Sequence, residues 1–221
     1  MAKKKAVKAE VGELPKGKLA LIKDPRVYAK RLPIIPPRHK RFLGLDLASN
    51  CGVTFCDVMP GQPVTSGVLV GGQWNLSIGN WDTQSIRLIR LKHFLEVTEP
   101  DVICYEEVKY TPQGSAPGMK KTNLTAMVAR AVSGAQVVHS LQATLVVWAE
   151  ERGIPCQSVP IGTLKKYATG RGNANKGEML EACNEQFGTT LRLEDDTGDD
   201  NIADSMFLCA MCVQNYSEGM Q

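Results

Sequence analysis

The alternation of apolar and polar positions along this chain changes period several times, and each change marks an element. Phe42–Ala48 and Gly52–Val58 are short apolar runs around the turn Ser49-Asn50-Cys51-Gly52, which predicts two strands joined by a tight hairpin. Val64–Val70, set between Gly61 and the pair Gly71-Gly72, predicts a third strand, so that the three form an antiparallel meander. Over Ser85–Val97 the spacing becomes helical, with Leu88, Leu91 and Leu95 on one face and Pro100 ending the run. Asp101–Val108 reads as a buried strand that finishes in two carboxylates, Glu106 and Glu107. Asn123–Arg152 predicts a long helix, stopped by Gly153, whose small residues Ala129, Ala131, Ser133, Gly134 and Ala135 suit close packing on a sheet. Pro155–Ile161 supplies a fifth strand, and Lys176–Phe187 and Asp200–Val213 two further helices. The order β-β-β-α-β-α-β-α-α predicts an α/β fold: a mixed five-stranded sheet, antiparallel meander plus parallel strands, flanked by helices.

Composition narrows the class. Of 221 residues, 43% are apolar and 22% charged, ordinary globular usage for one domain of this size. The longest apolar runs, such as Leu141–Trp148, fall far short of the ~20 residues a membrane span needs, and no charged-then-apolar signal segment opens the chain. The expected setting is the cytoplasm, without a membrane partner. Residues 1–41 carry 13 Lys and Arg against 3 Asp and Glu, a net of +10, whereas residues 42–221 carry 13 against 20, a net of −7. A flexible basic arm over 1–41 is therefore expected ahead of a folded domain over 42–221, and such arms attach to polyanions by releasing counterions. Seven cysteines in apolar surroundings point to a reducing compartment, and Cys209-x-x-Cys212 lies in a segment that reads as a buried helix rather than a zinc site.

The chemistry lies in acids placed inside apolar segments. Asp46 interrupts Phe42-Leu-Gly-Leu-Asp-Leu-Ala48, Glu106 and Glu107 close another strand, and Asp204 opens the uncharged stretch Ser205–Val213. An isolated buried carboxylate neutralises, pairs or binds a cation, and acids at strand ends and a helix start can converge on one hard ion such as magnesium. Asp200, four residues before Asp204, shares its helical face; Asn201 shares it on the other side as a neutral partner, and Asp199 falls about 140° away. Period two sends Glu106 and Glu107 to opposite sides of the strand, and the sequence pattern does not choose between them. A second constellation is basic: Lys165, Lys166, Arg171 and Lys176 lie among Gly170 and Gly172, a segment suited to phosphate contact, although the Walker spacing is absent.

Together these residues resemble the RuvC-like Holliday junction resolvases, particularly the phage-type branch, from about Phe42 to Val213. The anchors are Gly44-Leu-Asp46-Leu-Ala-Ser-Asn-Cys-Gly52, Tyr105-Glu106-Glu107-Val108, the Lys165–Lys176 segment and Ala203-Asp204-Ser205. The resemblance implies an RNase H-like fold and an active site holding two magnesium ions, with manganese able to substitute and no small-molecule cofactor. It implies that Asp46 bridges both ions, that Glu106 rather than Glu107 is a ligand, that Asp204 is the final ligand and that Lys176 approaches the scissile phosphate. Where the family usually has Asp or His three residues before the last acid, this chain has Asn201, so the fourth ligand is expected at Asp200. Lys165, Lys166, Arg171 and Lys176 are then the expected nucleic-acid contacts. The implied activity is metal-assisted hydrolysis of four-way DNA junctions, with paired nicks made by a homodimer. The alternatives are a related nuclease acting on flaps, forks or RNA–DNA hybrids, and a non-catalytic nucleic-acid-binding protein.

Overall fold

A computed structural model describes residues 20–22, 35, 37–80, 82–107, 121–193 and 198–219. Lys40–Asp46 (β2) and Asn50–Val58 (β3) pair antiparallel about the expected turn, with Phe42 opposite Cys56 and Asp46 opposite Gly52. Val68–Asn75 (β4) pairs antiparallel with β3 and completes the meander. Val102–Glu107 (β5) runs parallel to β2, and Cys156–Pro160 (β6) runs parallel to β5. To these five strands the chain adds a short sixth, Ala20–Ile22 (β1), parallel to β4 at the sheet edge, so that the order is β1-β4-β3-β2-β5-β6. The helices are Ser85–Thr98 (α1), Lys121–Glu150 (α2), Ile161–Thr169 (α3), Lys176–Phe187 (α4) and Asp199–Glu218 (α5).

Alternation along the strands divides the core in two, because successive side chains leave the sheet on opposite faces. Phe42, Cys104 and Val159 join Leu164, Met206 and Cys209 under α3–α5, whereas Leu43, Leu45 and Ile103 join Leu91, Leu95, Leu141 and Leu145 under α1 and α2. The buried cysteines Cys209 and Cys212 pack within the first layer, and all seven cysteines are free thiols. At the start of β2, Arg41 is 2% exposed and makes a bidentate pair with Asp57, Nε to Oδ1 at 2.7 Å and Nη2 to Oδ2 at 2.6 Å. Its Nη1 also donates to the Thr98 carbonyl at 2.9 Å, which ties the end of α1 to the strand. Among the described residues no helix is long and apolar enough to cross a membrane.

Three expectations need correction. The third strand does not span Val64–Val70: Val64–Ser66 is a 3-10 turn, and β4 begins at Val68 and runs through Gly71-Gly72. A Cβ on Gly71 would lie 3.2 Å from Thr54 Oγ1 and 3.4 Å from Ile202 Cγ2, so glycine there admits α5 against the sheet rather than ending a strand. The segment around Lys165 and Lys166, given no element in the predicted order, is helical: α3 follows directly on β6 and stops at Gly170, whose φ of +77° suits a residue without a Cβ. Leu164 is its one fully buried residue. Gly134 is exposed, with open space around an added Cβ, so it does not serve close packing on the sheet. Val108, expected in the fourth strand, lies outside the described residues, as does most of the expected arm over 1–41, of which Ala20–Ile22 and Lys40–Arg41 are built into the sheet instead.

Candidate active site

The parallel register of β2 and β5 sets Gly44 beside Cys104 and Leu45 beside Tyr105, and the next step brings Asp46 alongside Glu106. Glu106 shares a strand face with Val102 and Cys104, which pack in the α5 layer, while Glu107 shares its face with Ile103 in the opposite layer. The fold therefore turns Glu106, not Glu107, toward the helix that carries Asp204.

That helix is seated unusually close to the strands. A Cβ on Gly44 would lie 2.3 Å from the Cys209 nitrogen and 2.3 Å from the Ser205 oxygen, and one on Gly52 would lie 1.9 Å from the Asn201 oxygen. Only glycine permits the backbone of α5 to rest on β2 and β3 at these points. Thr54 and Ser205 share a hydrogen bond of 2.8 Å between their hydroxyls, and Asn201 Nδ2 donates to the Asn50 carbonyl at 2.8 Å. Asp204 sits between these two fastenings and is carried to the end of β2 where Asp46 lies.

The carboxylates feel one another strongly. Each of Asp46, Glu106, Asp200 and Asp204 is half-buried by surface area. The Asp46 carboxyl is held well above the usual carboxylate range, by burial first and then by Glu106, Asp204 and Asp200, with Lys176 opposing. Burial and Asp204 push Glu106 up to about 7, against the pull of Lys165. Burial and Asp200 push Asp204 up to about 6, against Lys165 and Lys176. A positive charge placed among these acids would lower their pKa values again. The donor set, carboxylate oxygens alone, fits a hard divalent cation. No three His, Cys, Asp or Glu among the described residues stand close enough to grip one ion as they are.

Lys176 opens α4 behind the Asn175 cap, whose side chain accepts from the Glu178 N–H at 3.0 Å while Glu178 accepts from the Asn175 N–H at 2.8 Å. The Lys176 ammonium donates to Asp200 Oδ2, and Asp200 raises the lysine pKa. Asp199 faces elsewhere: its Oδ2 accepts the Arg192 N–H at 2.8 Å, and it is not among the charges that shift Asp46, Glu106 or Asp204. Of the other basic residues, Lys165 on α3 is half-buried and within electrostatic reach of Glu106 and Asp204. Lys166 is exposed on the last turn of α3, and Arg171 is exposed and ion-paired with Glu178.

Sequence reasoning missed the groups that hold this set in place. Gln142 Nε2 on α2 donates to the Glu106 carbonyl at 3.0 Å and steadies the end of β5. Gly52 and the Thr54–Ser205 contact position α5. The only signal available was the density of small residues facing one another across distant segments.

No family model matches the chain, and no curated protein matches it. Solved structures do. RuvC of Thermus thermophilus in complex with a Holliday junction substrate aligns over 82% of this chain and 96% of that one, at 16% identity and a TM-score of 0.56. The fold is that of RuvC. A second Thermus thermophilus RuvC structure covers 81% of this chain and 96% of its own at a TM-score of 0.50 and 16% identity. The yeast mitochondrial Holliday junction resolvase Ydc2 covers 87% of each chain at 17% identity and a TM-score of 0.49. The mixed sheet flanked by helices that the sequence predicts is thus a fold this chain shares with RuvC.

Proposed function

We propose that this protein is a divalent-metal-dependent endonuclease of the RuvC-like type that resolves four-way DNA junctions. The observation that carries the reading is that Asp46, Glu106, Asp200 and Asp204 come from β2, β5 and α5 into electrostatic reach of one another, with burial and then mutual repulsion raising the pKa values of Asp46, Glu106 and Asp204. The RuvC fold supports it, and the Thermus protein of that fold has been seen with a Holliday junction substrate.

Asp46, Glu106 and Asp204 would hold magnesium, two ions per site by the resemblance, with Asp200 as the fourth carboxylate. Bound there, magnesium would supply Lewis-acid polarisation of a phosphoryl oxygen and a water of lowered pKa. The chain's own part is electrostatic and positional. Lys176 and Lys165 keep positive charge beside the acids, so that a phosphodiester meets attraction as well as repulsion. Lys176, with its side chain 72% exposed, swings from Asp200 to an incoming phosphate at little energetic cost, since exposed ion pairs are worth about 0–1 kcal/mol. Lys166 and Arg171 extend that basic rim. The basic residues ahead of β2 add phosphate contacts to the folded domain, to which Ala20–Ile22, paired with β4, and Arg41, buried against Asp57, already belong. A homodimer matches two-fold-related nicks to the pseudo-symmetry of a junction. The phage-type assignment rests on the sequence anchors alone.

The test is cleavage of a synthetic four-way junction with each strand labelled in turn. The expected result is paired, symmetric nicks in magnesium, abolished by Asp46→Asn with binding retained. Faster cutting of a linear flap than of the junction would move the assignment to a flap or fork nuclease. Cutting by Asp46→Asn at the wild-type rate would refute the site.

A further inference from the structure

Beyond the acid pocket, and resting on the nuclease reading, the opposite face of the sheet end holds a groove that the proposed catalytic set does not use. Two adjoining hollows, of about 380 and 550 Å³, lie between α1 and α2 and share Gln84, Arg87 and Val137. The second reaches Ala48 and Ser49, the turn that directly follows Asp46. Arg87 is the one charged residue among the described residues lining either hollow. Its Nη1 donates to Ser49 Oγ at 2.6 Å, which fixes the guanidinium at the turn. Its Nε is buried with no hydrogen-bond partner, and Arg87 has no carboxylate partner among the described residues. A cation half inside a protein without a counter-charge is expensive to keep unless an anion arrives. The surroundings suit one. Gln136 and Ser140 add neutral polar groups on α2, and α1 starts beside the groove without a side-chain cap, so its dipole also favours negative charge.

We propose that this groove takes a backbone phosphate of the DNA strand that leaves the cleavage pocket around the Ser49 turn, with Arg87 as its anchor. Arginine suits the task because its planar fork meets phosphate oxygens in pairs. A contact on the far side of the turn from Asp46 would fix the path of the strand on both sides of the scissile bond.

The test measures junction binding by the full-length protein in calcium, across a series of salt concentrations. Arg87→Gln should make the plot of log affinity against log salt shallower by about 0.9, the signature of one lost phosphate contact. Arg87→Lys should restore the slope but not the full affinity. Gln136→Glu, at an exposed position that lines the groove, weakens binding without threatening the fold, whereas Val147→Glu on the exposed side of α2 away from the groove should have far less effect. Equal losses for Gln136→Glu and Val147→Glu, or an unchanged slope for a folded Arg87→Gln, would overturn the groove while leaving the nuclease reading intact. Failure of the wild-type protein to bind or cut DNA would overturn both.

Discussion

Replacing Glu106 by glutamine should make the metal-free protein more stable at pH 8, and the size of the gain follows from the pocket. Glu106 has an ordinary value of 4.5 and is pushed up to about 7 in the folded chain by burial and by Asp204. A carboxyl with a raised folded pKa binds its proton more tightly when folded, so stability falls as pH rises. Below 4.5 the group is protonated in both states and contributes nothing. The penalty grows between 4.5 and about 7 and is complete above that. At about 1.4 kcal/mol per pKa unit, ionising Glu106 destabilises the fold by about 3 kcal/mol at pH 8. Glutamine has nearly the same shape and no charge to bury. Urea unfolding in the presence of a chelator, at pH 4.5 and at pH 8, reads the effect, because titrating groups outside the pocket cancel between variant and wild type while relief of Asp46 acts in the same direction. The expected outcome is near-equal stability at pH 4.5 and a variant about 3 kcal/mol more stable at pH 8. A difference that is the same at both pH values, or a variant less stable at pH 8, would refute the claim that Glu106 is held against its own charge.

Other perturbations probe other parts of the account. Gly44→Ala sets a Cβ against the α5 backbone at 2.3 Å, so urea unfolding should reveal a loss at or above the top of the usual overpacking range, about 3 kcal/mol, together with weaker magnesium binding. Asp57→Ala leaves Arg41 buried without its partner and should lower stability by about 3–5 kcal/mol, read in the same way, with no effect specific to the acids at the far end of β2. Asp200→Asn should raise the magnesium concentration needed for half-maximal cleavage more than Asp199→Asn does, since Asp200 bears on Asp46 and Asp204 while Asp199 caps the Arg192 N–H. A larger loss for Asp199 would reassign the fourth acid.

The legible part of the fold was the part written in short periods. The hairpin about Ser49, β5 with its terminal acids, and α4 opening at Lys176 follow from apolar periodicity and breakers, all local signals. β4 was misread because its pattern is set by a distant partner, and α3 was not predicted at all. Gly71 and Gly72 look like a stop until Ile202 of α5 is seen to pack there, and α3 has a single fully buried position to advertise it. The same limit applied to the site. Burial of charge flagged Asp46, Glu106 and Asp204, but period two left Glu106 and Glu107 equal until the register of β5 against β2 put Glu106 on the α5 side. Asn201 stood where an acid was expected, and the structure gives it a different task, holding α5 to the Asn50 carbonyl. Arg87 carried no sequence signal at all, because a lone arginine on an amphipathic helix reads as a solvated face.

The most direct measurement is the anomalous scattering of manganese in crystals of the wild-type protein and of Asp46→Asn. The account predicts peaks between Asp46, Glu106 and Asp204 in the wild type, with those carboxylates drawn together, and their loss in the variant. An empty pocket at saturating manganese, or peaks only at acids elsewhere on the surface, would contradict it.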